Sequence, residues 1–322
     1  MGLEIHQLKT FFVLARTLNF TEAARKLYVT QPAVSHAMKK LESGLNDKLI
    51  VRRGNRLVLT ESGSLLYKTC EDIFYRLERA EEAIRSRKGI SLGVVRLGAT
   101  VEFGNTVLVK NLRAFMDGHP NVHVDFLFHH DLRPLLLNDE LDVIVDCRDD
   151  DDPQLDKRLL FQEKYVVVGA PDYIRRKRIR QPKDLESCTV LSFDKDGSWW
   201  NKFLLAVPER ERPTLAGLIE INHIRGLVIA AKEGVGIGLV PRYSVSRELA
   251  KRELVDLFPR IALREDHFFI YQKKKKAGLE KHRLLVEYLL SLKPVEFGET
   301  RRRVAPESPT EEDAEKGDRR CR

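Results

Sequence analysis

Three short stretches of helical spacing, separated by breaks of a few residues, occupy the first 45 residues of the chain. In the first, apolar residues recur at steps of three and four from residue 5 to residue 18. The second has its apolar residues between 23 and 27, and Thr21 is its predicted N-cap. The third follows Thr30, which can cap it, and has Pro32 in its first turn, where the missing N–H costs nothing. Helices this short bury their apolar faces only by packing together.

The third helix has a face suited to reading base edges. Its inward stripe is Val34, Met38 and Leu41. A helix in the major groove needs small polar, amide or basic residues on its outer face, because base edges are read by hydrogen bonds and methyl contacts. An ordinary solvated helix face is the alternative. The outward set is Gln31, Pro32, Ala33, Ser35, His36, Lys39 and Lys40.

A basic hairpin is predicted directly after these helices. Residues 49–60 form two short strands with a turn at 54–55, which is the wing of a winged helix-turn-helix. Residues 1–60 hold ten Lys and Arg against four acids, so +6 of the chain's formal net charge of +8 lies here. This concentration favours a phosphate-contacting module over a merely solvated helix face. The basic residues of the wing are Arg52, Arg53 and Arg56.

One long helix is predicted from residue 61 to about residue 88, because this stretch contains no proline and its single glycine lies near the start. Its apolar residues alternate at steps of four and three, which is typical of a seam between two helices. A single helix would expose this seam, so dimerisation is expected. The seam residues are Leu66, Cys70, Ile73, Leu77, Ala80 and Ile84.

From Ser91 onward, short β-branched runs alternate with amphipathic helices, which predicts α/β units with a mainly parallel sheet. About two hundred residues of this pattern suit two small lobes. The stretch after Glu299 mixes charges and prolines with almost no hydrophobic residues, so a disordered tail is predicted. The predicted strands are 94–99, 122–128, 142–146, 165–168, 189–193, 215–220 and 267–271, and the predicted helices are near 104–117, 131–138, 171–178, 198–206, 222–233 and 277–292.

The runs Phe11 to Ala15, Asn19 to Leu27 and Thr30 to Glu42 follow one another in an order that resembles that of LysR-type transcriptional regulators. Only the chain after about Lys293 lies outside the resemblance. The long, specific matches are 11–15, 19–27, 30–42, 49–52 and 57–63 (Phe11-Phe12-Val13-Leu14-Ala15, Asn19 to Leu27, Thr30 to Glu42, Leu49 to Arg52, Leu57 to Gly63). Weaker matches are Arg96 to Thr100, His119-Pro120, Leu141 to Val143 and Gly234 to Pro241.

The resemblance implies groove contacts by Gln31, Pro32 and Ser35 and a wing contact by Arg52. Residue 36 is usually arginine in this family and is His36 here, and a neutral imidazole cannot make the bidentate pairing of arginine with guanine. With the outward helix residues and the basic wing, the predicted DNA-binding residues are Thr30, Gln31, Pro32, Ala33, Ser35, His36, Lys39, Lys40, Arg52 and Arg53.

For the two lobes, the resemblance implies a fold like that of periplasmic binding proteins, with a small effector in the cleft between them. Thr100, Val101 and Glu102 end the first strand of the lobes and would face that cleft, while Thr100 as a simple N-cap is the alternative. Asn222 and His223 would open a helix on the opposite lobe, although packing without a ligand is as good an account of His223. Glu102 replaces a small polar residue and would repel an acidic effector.

The sequence therefore predicts a cytoplasmic, sequence-specific transcription factor that is not an enzyme and needs no cofactor or metal. Expected partners are double-stranded promoter DNA, a small-molecule effector, RNA polymerase and further copies of the chain, as homodimer or homotetramer, with no membrane. The predicted fold class is α/β, with an N-terminal winged helix-turn-helix and linker helix before a two-lobed effector domain. The predicted domains are 1–62 (DNA-binding), 63–90 (linker and dimerisation helix), 91–293 (effector domain, with lobe I at 91–162 and 264–293 and lobe II at 163–263) and 294–322 (disordered tail).

The sequence supports other binding sites and other classes of protein less well. An enzyme or solute-binding protein with an N-terminal interaction module is the rival reading. Residues 234–238 suggest a nucleotide loop, but they follow a helix and lead into Pro241. His129 and His130 with nearby aspartates lack a third spaced metal ligand. Residues 149–152 are expected to form a solvated acidic loop, and residues 273–276 a basic strand end that could lie near DNA in an oligomer.

Overall fold

The computed structural model describes residues 3–88 and 92–292, without the side chains of residues 86 and 87. These residues form two compact units. Unit 1 comprises the chain up to Leu160 together with His267–Ser291, and unit 2 contains Phe161–Asp266. The predicted tail, 294–322, lies outside the described residues.

The three N-terminal helices are present: α1 (Ile5–Thr17), α2 (Phe20–Leu27) and α3 (Gln31–Leu45). Thr30 caps α3 by accepting the N–H of Ala33, and Val34, Met38 and Leu41 are buried as predicted. The predicted cap of α2 is wrong. Asn19, not Thr21, accepts the backbone N–H groups of Thr21 and Glu22, because the helix begins at Phe20, two residues earlier than a cap at Thr21 would place it.

The wing consists of β1 (Ile50–Arg53) and β2 (Arg56–Leu59), paired antiparallel as predicted. It is fastened to α3 by Glu42, whose Oε1 accepts the N–H groups of Leu49 at 3.0 Å and Ile50 at 3.4 Å. The other oxygen of this carboxylate, Oε2, lies 2.7 Å from Nζ of Lys48. The last turn of α3 therefore fixes where the hairpin starts.

The long helix α4 spans Glu61–Arg87, but its apolar seam is divided between two roles. Cys70 is fully buried and Leu66 packs in the core of the first three helices. Phe12 of α1 stacks on Tyr67 of α4, with ring centroids 5.4 Å apart. Farther along, Leu77 and Ile84 are 47% and 58% exposed. The expectation of one continuous seam for a partner helix is thus wrong for the first half of α4, which packs inside its own chain.

The remaining elements form two five-stranded sheets, as expected for two lobes. The strands are β3 (Gly93–Ala99), β4 (Val122–Phe128), β5 (Val143–Asp146), β6 (Leu155–Glu163), β7 (Tyr165–Gly169), β8 (Thr189–Ser192), β9 (Gly217–Glu220), β10 (Ile237–Pro241), β11 (Val255–Asp256) and β12 (Asp266–Lys273). One sheet has the strand order β4-β3-β5-β12-β6 and the other β11-β7-β10-β8-β9. The helices are α5 (Val101–Phe103), α6 (Val109–Gly118), α7 (Arg133–Leu137), α8 (Pro171–Lys177), α9 (Asn201–Leu204), α10 (Ile224–Lys232), α11 (Ser246–Ala250) and α12 (Glu280–Ser291), with a π-helical turn at Gly104–Leu108 joining α5 to α6.

Both sheets are mixed, which corrects the expectation of mainly parallel strands. Parallel pairs lie around β3 and β8, while β12 is antiparallel to β5, and β10 and β11 are antiparallel to β7. Strands β6, β10 and β11 were not predicted from the sequence. Glycines at 234, 236 and 238 made the sequence around β10 resemble a loop, although every residue of this strand is buried.

A buried charge cluster in unit 1 joins α1 to residues in and beside the five-stranded sheet of the same unit. Asp139 is 9% exposed and forms ion pairs with Arg16 of α1, with Lys273 at 2.7 Å and with Lys276 at 2.8 Å. Arg16 also donates to the carbonyl oxygen of Asn138 at 2.8 Å. Three of the four lysines in the basic strand end at 273–276 are therefore ion-paired within the chain, since Lys275 also pairs with Glu71 at 2.8 Å. That this strand end lies near DNA in an oligomer stays a prediction.

Asp142 is the second carboxylate of this cluster. Its two oxygens accept from Nε and Nη2 of Arg96 at 2.9 and 2.6 Å, which is a bidentate arrangement. Burial alone would raise the pKa of Asp142, but the Arg96 hydrogen bonds and Lys276 outweigh it and lower the pKa well below its usual range. In Lys273, burial and the neighbouring cations lower the pKa to about 8.

Candidate DNA interface and effector site

The outer face of α3 carries the predicted recognition residues. Gln31, Pro32, Ala33 and His36 are exposed, and Ser35 is half-buried at the edge of the same face. Pro32 lies in the first turn, and all five residues belong to the N-terminal half of α3. Lys39 is exposed, whereas Lys40 is held by Glu4 at 2.8 Å, which partly neutralises it.

The wing places its arginines in solvent. Arg52, Arg53 and Arg56 are all exposed, and Nη2 of Arg52 donates to Oδ1 of Asn55 at 3.2 Å. This hydrogen bond crosses the hairpin turn and limits the positions that the Arg52 guanidinium can take. The predicted wing residues therefore form a cationic hairpin tip.

Two further residues belong with this surface and were missed by the sequence analysis. Tyr28, in the turn between α2 and α3, is 95% exposed and has a left-handed φ of 56°. Thr21 lines a hollow of about 480 Å³ together with Arg52 and Arg56. Hydroxyl groups beside arginines are common phosphate ligands. The signal for Tyr28 was present in the sequence, as a large aromatic residue in a break between two helices, where packing does not require it.

In unit 1, the candidate effector residues lie at the carboxyl end of β3. Thr100 is the N-cap residue of α5, yet its side chain makes no capping hydrogen bond. Its Oγ1 is buried and has no hydrogen-bond partner among residues 3–88 and 92–292. Glu102 is only 6% exposed, and its Oε1 lies 3.4 Å from Oγ1 of Thr106. The alternative role of Thr100 as a side-chain cap is therefore not realised.

In unit 2, Asn222 and His223 precede α10, as predicted. His223 is the N-cap residue and makes no side-chain capping bond, while Asn222 is exposed. A neighbouring loop at the carboxyl end of β8 was not predicted. There Asp194 accepts from Oγ of Ser192 and of Ser198 at 2.9 and 2.6 Å and from the N–H of Trp199 at 2.7 Å. The pKa of Asp194 is lowered because these hydrogen bonds outweigh the effect of its burial.

Other predicted features are structural. His129 accepts the N–H of Asp131 at 3.0 Å, and within the described ranges no cluster of three or more His, Cys, Asp or Glu side chains could hold a metal ion. The acidic loop pairs with its own chain, since Arg133 holds Asp150 and Asp152, and Lys157 holds Asp149 and Asp151. No helix of the described chain is long and apolar enough to cross a membrane.

Two family models match the chain. Residues 5–64 match the bacterial regulatory helix-turn-helix of the lysR family, and residues 89–293 match the LysR substrate binding domain. The chain belongs to the LysR family. It is a DNA-binding transcription regulator with a helix-turn-helix and an effector-binding domain.

Relatives of this LysR-family chain agree along most of its length. It is 27% identical to the glycine cleavage system transcriptional activator of Escherichia coli K12 over 288 residues, which is 89% of this chain and 93% of the relative. The fold matches LysG of Corynebacterium glutamicum with bound effector Arg, at a TM-score of 0.61, 15% identity and coverage of 89% and 97% of the two chains. It also matches DarR of Vibrio fischeri in complex with DNA, at a TM-score of 0.51, 22% identity and coverage of 91% and 100%.

His36 offers a direct test of base reading by this LysR-family chain. We expect His36→Arg to change the preferred operator sequence toward guanine at one position per half-site, because arginine pairs bidentately with O6 and N7. The gain in discrimination should be about 1 to 3 kcal/mol. Selection of bound sequences from a random DNA library measures it. Ser43→Arg, an equal charge added farther along the exposed surface of α3, should strengthen binding without a new base preference. Equal preferences in both variants would argue against a base contact at residue 36.

Proposed function

We propose that this regulator reads promoter DNA through the N-terminal half of α3, with the wing beside it on the DNA backbone. The observation that carries the proposal is the exposed set of small and amide side chains at the start of α3 next to the cationic hairpin tip. Base edges require such side chains, and phosphates require the arginines. The proposed contacts are Thr30, Gln31, Pro32, Ala33, Ser35, His36, Lys39, Lys40, Arg52 and Arg53, with Tyr28 and Thr21 as additional backbone contacts.

The test is a gel shift with DNA from upstream of the protein's own gene, over a series of salt concentrations. We expect Ser35→Ala with Arg52→Ala to weaken specific binding about 100-fold, from the loss of one groove and one backbone contact of about 1 to 3 kcal/mol each. The slope of log affinity against log salt should fall by about 1, because one phosphate contact is removed.

A matched double variant, Ser43→Ala with Arg79→Ala, changes the same residue types at exposed sites of α3 and α4 outside the proposed interface. It should bind as the wild type does. Absence of specific binding by the wild-type protein at every salt concentration would contradict the proposal, and so would equal losses in the two double variants.

We propose that a small-molecule effector is bound by Thr100, Val101 and Glu102 in unit 1 and by Asn222 and His223 in unit 2. The support is that both segments follow parallel strands at their carboxyl ends, where α/β folds bind ligands. The buried, unbonded Oγ1 of Thr100 is a further support, since buried hydroxyl groups normally have a partner. The Glu102 carboxylate disfavours an anionic group of the effector at this point.

Self-association is proposed from the apolar side chains left in solvent. Leu77 and Ile84 of α4 are exposed, and so are Phe126 and Leu127 of β4 and Ile229 of α10. Exposed apolar groups on several elements favour a homodimer or a homotetramer. We also propose that RNA polymerase is a partner and that the protein acts in the cytoplasm, beside the DNA. Its proposed role is regulatory and not enzymatic. The domain limits predicted from the sequence remain predictions.

A further inference from the structure

Unit 2 contains a buried acid that neither DNA binding nor the proposed effector site uses. Glu163, the last residue of β6, is 3% exposed. The hydroxyl of Tyr165 is hydrogen-bonded to Oε2 of Glu163 and, at 2.8 Å, to Oδ2 of Asp266. Glu163 and Asp266 belong to the two segments by which the chain enters and leaves unit 2. One phenol group therefore links the two connections.

The Tyr165 hydroxyl and the two carboxyl groups have a limited number of hydrogen atoms to donate. A tyrosine hydroxyl donates one hydrogen and otherwise accepts. Two ionised carboxylates only accept, so Tyr165 cannot satisfy both of them at once. With both contacts made, one carboxyl group must carry a proton and donate it to the tyrosine oxygen. The geometry thus requires one bound proton in addition to that of the phenol.

Glu163 is the carboxyl group that holds this proton. Asp266 is partly exposed and lies 3.2 Å from Nζ of Lys202, which stabilises its charge. Glu163 is buried without a cation at that distance among the described ion pairs. The hydrogen bonds then run in one direction, from the Glu163 carboxyl group to the Tyr165 oxygen, and from the Tyr165 hydroxyl to Asp266 beside Lys202.

The surrounding charges agree with this assignment. Burial is the largest effect and, with the nearby Asp266 charge, raises the pKa of Glu163 to about 7, although hydrogen bonds from Tyr165 and Tyr243 and the charge of Lys202 oppose it. Burial and the two acids raise the pKa of Tyr165 far above its ordinary value, so the phenol keeps its hydrogen. Lys164 is next to Glu163 in the sequence and is exposed. Glu265 and His267 flank Asp266, and they are half-buried and exposed, respectively.

We propose that Glu163, Tyr165 and Asp266 form a proton-binding site that ties together the two connecting segments of unit 2. When the proton leaves Glu163, two carboxylates face one phenol oxygen, and their repulsion favours a conformation in which β6 and β12 separate at this end. Proton release near neutral pH thereby loosens the link. The site makes unit 2 sensitive to pH, and it stands independently of the proposed effector.

The only two tryptophans of the chain, Trp199 and Trp200, lie in unit 2 and report on this site. The Trp199 ring meets Tyr165 edge-on at 5.5 Å, and Nζ of Lys202 lies 4.8 Å from the Trp199 ring centroid. We expect the tryptophan emission of the full-length protein to change with pH, with a midpoint at about pH 7. In Glu163→Gln, which cannot ionise, the transition should be lost. His267→Gln is the control and should titrate as the wild type does.

Thermal melting of the same proteins gives a second readout. The pKa of Glu163 is raised from 4.5 to about 7, so the folded protein binds a proton that the unfolded chain has lost. Stability from this group is present at low pH and declines as pH rises between these two values. The wild-type melting temperature should therefore fall over this window relative to that of Glu163→Gln.

A wild-type protein without an emission change in this range, or a Glu163→Gln protein that titrates like the wild type, would overturn the proposal. Should Glu163→Gln fail to fold, Asp266→Asn decides the matter. Removal of the second carboxylate must lower the emission midpoint, since the Asp266 charge raises the Glu163 pKa, and an unchanged midpoint would overturn the proposal.

Discussion

Replacement of Asp139 by asparagine should lower the free energy of unfolding of unit 1 by about 3 to 5 kcal/mol, because it leaves buried cations without their partner. Arg16, Lys273 and Lys276 converge on this one carboxylate, whose side chain is almost fully buried. Asparagine keeps the shape and tolerates the left-handed φ of 55° at this position, so the change removes charge alone. Urea unfolding followed by circular dichroism measures the effect.

The matched control for this prediction is Asp131→Asn in the same unit. Asp131 pairs with Arg148 at 2.9 Å, but both side chains are more than half exposed. Exposed ion pairs contribute about 0 to 1 kcal/mol. Similar losses in the two variants would mean that the buried cluster adds nothing beyond an ordinary surface pair. Hydrogen exchange at the end of α1 should also rise in Asp139→Asn alone, since Arg16 is the contribution of α1 to the cluster.

Replacement of Gly63 by alanine should destabilise the N-terminal region and impair DNA binding together. A Cβ atom at Gly63 would lie 2.0 Å from the carbonyl oxygen of Leu49, which is backbone and cannot rotate away. Leu49 immediately precedes β1, so relief of this clash must move the wing or the first turn of α4. Overpacking of this kind costs about 1 to 3 kcal/mol, and sometimes more. Thermal unfolding and the gel shift described above measure the two effects.

Gly44→Ala, in the same region, should have the opposite effect on stability. Gly44 lies in α3, and a Cβ atom there would have no neighbour within 4 Å. Alanine is favoured over glycine in a helix by about 0.5 to 1 kcal/mol, so this variant should gain stability and keep its DNA affinity. A Gly63→Ala protein as stable as Gly44→Ala would show that the contact with Leu49 is relaxed in solution.

The N-terminal region was predictable because its determinants are local. Thr30 caps α3 through the N–H of Ala33, only three residues away, and the stripe from Val34 to Leu41 repeats at helical spacing. The same locality explains one error, since Asn19 and Thr21 are both good caps and only the observed start of α2 distinguishes them.

The charge cluster and the strands that were missed depend on distant partners. Lys273 lies 134 residues from Asp139, and no local pattern joins them. β10 is buried at every position, so it lacks the alternation that marks a half-exposed strand. The candidate effector residues follow parallel strands in each unit, but no local sequence pattern distinguishes them from other residues that follow strands.

The unbroken helix α4 has a mechanical consequence. With 27 residues at 1.5 Å each, it is a rod of about 40 Å. Its first half is fixed in the core of the N-terminal helices, while Glu78 and Glu82 farther along are held by Lys281 of α12 at 3.0 and 3.1 Å. A tilt of roughly 10° at one end would displace the other by about 7 Å, which is about two base-pair steps of 3.4 Å. Since Arg16 on Asp139 and Lys281 on α4 hold the rod against such a tilt, we expect the loss of these ion pairs to shift the proposed DNA-binding surface by a comparable distance.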